Sequence, residues 1–443
     1  MGTMPINKLL VRMSLPMMVS MLVQALYNVV DSIFVAKLSE DALTAVSLGF
    51  PVQMLMISVA IGTGVGVNSL LARRLGEKKI NEAGMAASNG LMLAVVSSLV
   101  FALFGFLGID WYFQTFTDNA ELARMGSDYI SICTIWSFGV FVAITSNQII
   151  QATGDTVYSM LAQLAGALTN IILDPIMIFG LFGFPRLEVA GAAIATVAGQ
   201  ILSMILSIYF NKTKIKHISI SFKGFRPNKR IIFEIYRVGL PSIVMQAIGS
   251  IMVFGMNKIL ILFSQTAVAV FGIYFKLQSF IFMPVFGLVN GMVPIVGYNY
   301  GAKNRERILS VIKLAMLFAV GIMTAGVLIF KLLPSFLLTT LFDASPEMLS
   351  VGVPALQIIC LHFIPAAVAI VLANTFQALG NGIYSLIMSF CRQIGCILPV
   401  AYLMARFFGL NAVWFAFPIA EVISIVLALV LFRHTYRRQI RDL

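Results

Sequence analysis

Residues 151–159 read Gln-Ala-Thr-Gly-Asp-Thr-Val-Tyr-Ser, and residues 377–385 read Gln-Ala-Leu-Gly-Asn-Gly-Ile-Tyr-Ser. The two stretches lie 226 positions apart. Outward from them the correspondence continues. Leu15-Pro16 returns as Leu240-Pro241, Gln53 as Gln278, and Gly62, Gly66, Gly76 and Lys78 as Gly287, Gly291, Gly301 and Lys303, each 225 positions on. One offset linking separated regions marks a duplicated unit. The chain is read as two copies of one set of elements.

Composition says what those elements are. Of 443 residues, 60% are hydrophobic and 11% charged, against about 25% charged in soluble domains. Apolar segments fall at 11–36, 42–72, 83–109, 125–152, 157–182, 189–211, 238–263, 267–299, 312–335, 349–378, 383–408 and 411–432. Nothing in them alternates like a barrel strand, and a helix satisfies its own backbone in lipid. The expected fold is an all-α polytopic membrane protein of twelve transmembrane helices. These form two six-helix bundles related by a pseudo-two-fold axis along the membrane normal. Residues 1–210 make the N-lobe, 211–230 a linker and 231–443 the C-lobe.

Charge sets orientation. Lys8 and Arg12, Arg73-Arg74 with Lys78-Lys79, Lys212 to Arg237, Lys303 to Lys313, and Arg433 to Arg441 lie in one set of loops. The alternate loops carry Glu40-Asp41, Asp110 to Glu121, Glu188, Asp343 and Glu347. Basic loops stay cytoplasmic. Both termini and the linker are therefore expected in the cytoplasm of a multi-pass cell (inner) membrane protein, without a cleavable signal. The formal charge of +12 is loop charge, so nucleic acid is not an expected partner. Cys133, Cys360, Cys391 and Cys396 lie in apolar segments without metal-site spacing and read as small packed hydrophobes. Gly62-Thr-Gly-Val-Gly66 sits inside a helix with no strand before it, so it reads as helix packing, not nucleotide binding. No nucleophile set, metal cluster or phosphate loop points to an enzyme, and no cofactor is expected beyond a coupling Na⁺ or H⁺.

Two acids break the apolar pattern. Asp31 lies in the first segment and Asp174 in the fifth. A carboxylate at membrane depth costs roughly 3 kcal/mol or more and is kept when it binds an ion, a proton or a substrate. Asp31, Asp174 and Thr196 of the sixth segment each sit about seven residues, or ~10 Å, from the outer boundary. Asn170 lies one turn before Asp174 on the same face. Asn147 in the fourth segment is a further candidate, less well matched in depth. Two carboxylates with an amide and a hydroxyl suit a Na⁺ cage of Asp31, Asn170, Asp174 and Thr196. Equally, the two carboxylates can share a proton. The repeat places Met256 opposite Asp31 and Val400 near the position opposite Asp174, so the site belongs to one lobe.

Gln24, Tyr27 and Asn28 near Asp31, and the repeat-related Gln53 and Gln278, are candidate cleft residues for lipophilic or cationic small molecules. The 24 methionines and 35 phenylalanines offer the polarisable surfaces such molecules favour. In the second half, Arg392 and Glu421 match in depth and form a candidate ion pair. His362 reads as packed or hydrogen-bonded.

These residues also carry a resemblance. Leu-Pro at the start of both halves, Tyr27-Asn28-Val-Val-Asp31, Gly62 to Arg74 leading to Gly76, Gln151 to Thr156, Asn170 to Pro175 and Gly191 to Thr196 occur in that order. Over essentially its whole length the chain resembles the multidrug and toxic compound extrusion family. The resemblance implies two six-helix lobes forming a V, and export of organic cations and antibiotics against inward Na⁺ or H⁺. It puts Asp31, Asn170, Asp174 and Thr196 on the coupling positions of an N-lobe branch. A second branch couples through acids in helices 7 and 10, where this chain has Asn257 and Asn374. The expected function is antiport of amphipathic, mostly cationic compounds by a monomer in membrane lipid. A lipid-linked oligosaccharide flippase is the alternative.

Overall fold

The computed structural model describes residues 1–215, 218, 220 and 226–443; the rest of the proposed linker lies outside the described residues, as does His217. Among the described residues there are helices and no strands. The first half contains α1 (Ile6–Ala36), α2 (Glu40–Gly76), α3 (Ile80–Leu107), α4 (Ile109–Phe116), α5 (Ala120–Ile135), α6 (Phe138–Thr153), α7 (Thr156–Phe179) and α8 (Glu188–Thr213). The second contains α9 (Lys229–Leu260), α10 (Gln265–Gly301), α11 (Arg305–Leu332), α12 (Pro334–Phe342), α13 (Pro346–Ile359), α14 (Phe363–Ala378), α15 (Gly382–Phe390), α16 (Leu398–Phe408), α17 (Leu410–Val413) and α18 (Ala416–Thr435). Eleven stretches are long and apolar enough to cross a membrane, and twelve if α5 and α6, bent by 46°, form one span.

The repeat extends to the backbone. Ser39 Oγ accepts from the Ala42 N–H at 3.0 Å, and Ser264 Oγ from the Ala267 N–H at 3.0 Å, so the N-caps of α2 and α10 are copies. Each satisfies a donor that the first turn leaves free. Gly154 and Gly380 close α6 and the turn after α14 with φ of 96° and 87°, values that favour glycine. The break between α5 and α6 at Trp136 recurs in the second half as a 3₁₀ turn at Cys360–His362.

By internal contacts the chain divides into two compact units. One is Val19–Ile243; the other is Met1–Met18 with Val244–Leu443. The two boundaries themselves lie 225 residues apart. Each unit thus takes the start of its first helix from the other half of the sequence. Glycines make room for that start. A Cβ on Gly66 of α2 would lie 2.2 Å from the Ile235 carbonyl of α9, and one on Gly62 2.8 Å from the Gly239 carbonyl. In the other unit, a Cβ on Gly291 of α10 would lie 2.6 Å from Ser14 Cα of α1, and one on Gly287 2.5 Å from Met18 Cα.

Polar contacts pin the same segments. Arg74 meets Glu234 of α9 at 2.7 Å, together with Glu77 at 2.9 Å and Glu82 at 3.1 Å. Glu77, just beyond the end of α2, is pushed toward a higher pKa by partial burial, but hydrogen bonds from Lys79 and Arg74 outweigh this and lower it. In the other unit Arg307 donates to the Met1 and Met4 carbonyls, each at 2.8 Å, and to Asn299 Oδ1 at 3.1 Å.

Candidate functional site: a carboxyl pair in the first unit

Asp174 is fully buried on α7, where Pro175 follows it within the helix. Asn170 lies one turn earlier on the same face, as the spacing requires. Its amide donates to Asp174 Oδ2 at 3.0 Å, and its oxygen accepts from the Thr196 N–H at 3.0 Å and the Thr196 hydroxyl at 3.1 Å. Thr196 lies on α8, brought close because Gly166 of α7 and Gly199 of α8 let the two backbones meet. A Cβ on Gly166 would stand 2.7 Å from the Gly199 carbonyl. Asn170 therefore orients Asp174 while fastening it to the next helix.

From α1, the Asp31 carboxyl comes up beside that of Asp174. Two carboxyl groups so placed bond each other only when one of them holds a proton. One oxygen of each, Oδ1 of Asp31 and Oδ1 of Asp174, is buried and accepts no hydrogen bond. A further turn back on α1, Tyr27 comes up beside the Thr196 side chain.

Four sequence-predicted residues therefore converge: Asp31, Asp174, Asn170 and Thr196, joined by Tyr27 from the candidate cleft set. Asn147 is buried on α6, and its Oδ1 has no hydrogen-bond partner. Gln24 and Asn28 lie on the exposed face of α1, Gln24 donating to Asn28 at 3.5 Å. Gln53 donates to the Tyr129 hydroxyl at 3.2 Å and to Cys133 Sγ at 3.8 Å. In the second unit, the Gln278 Oε1 is buried without a partner. Arg392 Nη1 and Glu421 Oε2 stand 3.5 Å apart.

Tyr129 and Cys133 were not singled out as site residues from sequence. Both are electrostatic neighbours of Asp31. Their one signal is an i, i+4 spacing on α5 that packing residues share.

A family model described as MatE matches residues 16–176 and 241–403. The chain belongs to the MatE family. The two matched stretches begin 225 residues apart, the same offset that relates the motifs. Like its family, this MatE chain is a membrane transporter and not an enzyme. The multidrug export protein MepA of Staphylococcus haemolyticus is 27% identical over 426 residues, 96% of this chain and 92% of that protein. A Shewanella oneidensis protein named as an FAD transporter is 27% identical over 423 residues, 95% and 92% of the two chains. Among solved structures, the outward-facing conformation of a multidrug resistance MATE family transporter superposes with a TM-score of 0.92 at 28% identity, over 97% of this chain and 95% of that one.

Proposed function

We propose that this MatE chain exports amphipathic, mostly cationic small molecules in exchange for protons taken up by the Asp31–Asp174 pair. The approach of the two carboxyl groups to each other carries this reading. Two adjacent carboxylates in a poorly hydrated site cannot both ionise at little cost, so the pair naturally holds one proton. Na⁺ is the second reading, favoured by the two unpartnered oxygens of Asp31 and Asp174. Against a full Na⁺ cage, the oxygens of Asn170 and Thr196 are already engaged with each other.

Charge argues for the substrate class. The ionisable residues that meet at the site, Asp31, Asp174, Tyr27, Tyr129 and Cys133, include two acids and no base. Such a site suits cations better than an anion such as FAD. A relative named as a multidrug export protein supports export of drugs. Coupling follows if the proton and the substrate favour different states, or compete for one. In this reading both termini lie on the cytoplasmic face of the cell membrane, as the basic loops favour, and the duplicated chain supplies both halves of a carrier as a monomer.

The test is efflux of ethidium from proteoliposomes under pH and Na⁺ gradients imposed separately. The proton reading expects efflux with the pH gradient alone, and its loss to background in Asp31→Asn and Asp174→Asn while both variants still insert. Efflux that needs Na⁺ at uniform pH selects the second reading. Undiminished efflux by Asp31→Asn rejects both. A parallel assay of lipid-linked sugar flipping separates the flippase.

A further inference from the structure

The second unit carries a buried ionisable cluster that the carboxyl pair does not explain. Glu421 of α18 is 2% exposed and His362 5%. His362 Nε2 stands 3.0 Å from the hydroxyl of Tyr274 on α10, a side chain with no exposed surface. On its other edge, His362 Nδ1 faces Glu421 Oε2 at 3.6 Å. Arg392 approaches the same carboxylate oxygen at 3.5 Å. His362 Nδ1 and Glu421 Oε1 are both buried and have no hydrogen-bond partner. Phe282, Phe363 and Phe417 ring the imidazole, with centroids 5.1–5.9 Å away.

We propose that His362, held between Tyr274 and Glu421, is a second proton-binding site in the second unit. It stands or falls independently of the coupling ion bound by Asp31 and Asp174. Charge selects the ligand. Arg392 already gives Glu421 one positive neighbour, so a metal cation would enter beside a guanidinium, whereas a proton needs only a ring nitrogen. The hydrogen-bond inventory allows both states. In the neutral ring, Nδ1–H points to Glu421 and Nε2 accepts from the Tyr274 hydroxyl. After protonation Nε2–H donates to the Tyr274 oxygen, whose hydroxyl hydrogen has only to rotate away, and Nδ1–H still points to Glu421.

The charged and titratable groups facing the ring or its partners come from every neighbouring element. They are Tyr274 from α10, Glu421 from α18, Arg392 from the segment between α15 and α16, Cys360 beside Tyr274, and Lys331 of α11 beside Cys360. Loading the ring puts Glu421 between two cations. The Arg392 side chain, 28% exposed where that of Glu421 is buried, is then the group least held by the cluster.

Backbone irregularity coincides with these residues. His362 ends the 3₁₀ turn between α13 and α14, and Arg392 lies in the π-helical segment Cys391–Ile397. Local π and 3₁₀ departures in helices are frequent at functional positions and hinges. The first half repeats the break at Trp136 but not the ionisable side chains: the offset of 226 sets Gly166 opposite Arg392 and Trp136 opposite His362.

The chain has three histidines, so the ring can be followed directly. Protein labelled with ¹⁵N-histidine and carrying His217→Gln and His434→Gln leaves one set of ring-nitrogen signals, that of His362. Those signals are expected to move between neutral and protonated positions across pH 5–9. In Glu421→Gln the pH at which they move is expected to change by about one unit or more. Signals that stay fixed throughout overturn the site. So does movement that Glu421→Gln leaves unaltered, because the ring would then titrate without its carboxylate partner. The observation on the protein with intact His362 and Glu421 stands alone if the Glu421 variant fails to fold.

Discussion

Asn170 is the residue on which the geometry of the carboxyl pair turns. Its one amide donates to Asp174 and accepts twice from Thr196. Replacing it with Ala removes the donor that orients Asp174 and leaves the buried Thr196 N–H without that acceptor. We expect Asn170→Ala to cost about 1–3 kcal/mol, the usual penalty for an unsatisfied buried group. Thermal unfolding in detergent checks the loss, and efflux should fall with it. Thr196→Val keeps the backbone N–H bond to Asn170 and should cost less. Asp31 and Asp174 were legible in the sequence because a carboxylate in an apolar run stands out on cost alone. Asn170 followed from its one-turn spacing, and Thr196 from depth. Tyr129, Cys133 and the approach of His362 to Glu421 were not legible. A tyrosine, a thiol or an imidazole on an apolar helix has the same local signature whether it packs or meets a charge, and only the neighbouring helix decides.

At the scale of the element, the twelve apolar segments and the duplicated motifs anticipated the helices because length and hydrophobicity are properties of one span at a time. The interruptions at Trp136 and at Cys360–His362, and the π-helical Cys391–Ile397, lie inside segments that read as single apolar spans. Gly139 and Pro365 lie three residues beyond Trp136 and His362, but Pro51 and Pro284 sit inside unbroken helices, so such a residue alone does not locate a break and packing from outside the run decides. Two glycine crossings offer a matched test. Gly66 on α2 and Gly291 on α10 are repeat mates, and each meets the backbone of a helix start that comes from the other half of the sequence. A side chain at either position drives into backbone rather than into a movable side chain. Gly66→Leu and Gly291→Leu should each destabilise by 3 kcal/mol or more, at or beyond the roughly 1–3 kcal/mol typical of overpacking. Gly321→Leu, where a Cβ meets nothing within 4 Å, should have little effect. Melting temperatures of the three variants in the same detergent decide it.

At the scale of the molecule, a duplicated scaffold carries unlike chemistry in its two units. The first holds an acid pair tied to an amide and a hydroxyl, and the second holds a histidine between a tyrosine and an acid–guanidinium pair. Duplication makes the framework; single substitutions on it make the sites. The exchange of helix starts between the compact units has a further consequence. Residues 1–210 expressed alone lack the α9 segment that fills the groove at Gly62 and Gly66, and should accumulate poorly. Joint expression with residues 211–443 should restore both fragments, as immunoblots of membrane extracts would show.

A ribosome makes this chain from one end. The first eighteen residues must wait, without the neighbours described above, until α10 and the start of α11 have been made, whereas the unit ending at Ile243 can close as soon as that residue is threaded. Birth order and packing order are therefore reversed for the N-terminus: the segment made first finds its seat only after the other unit can already have closed. A nascent molecule arrested midway would have one finished bundle and one dangling leader.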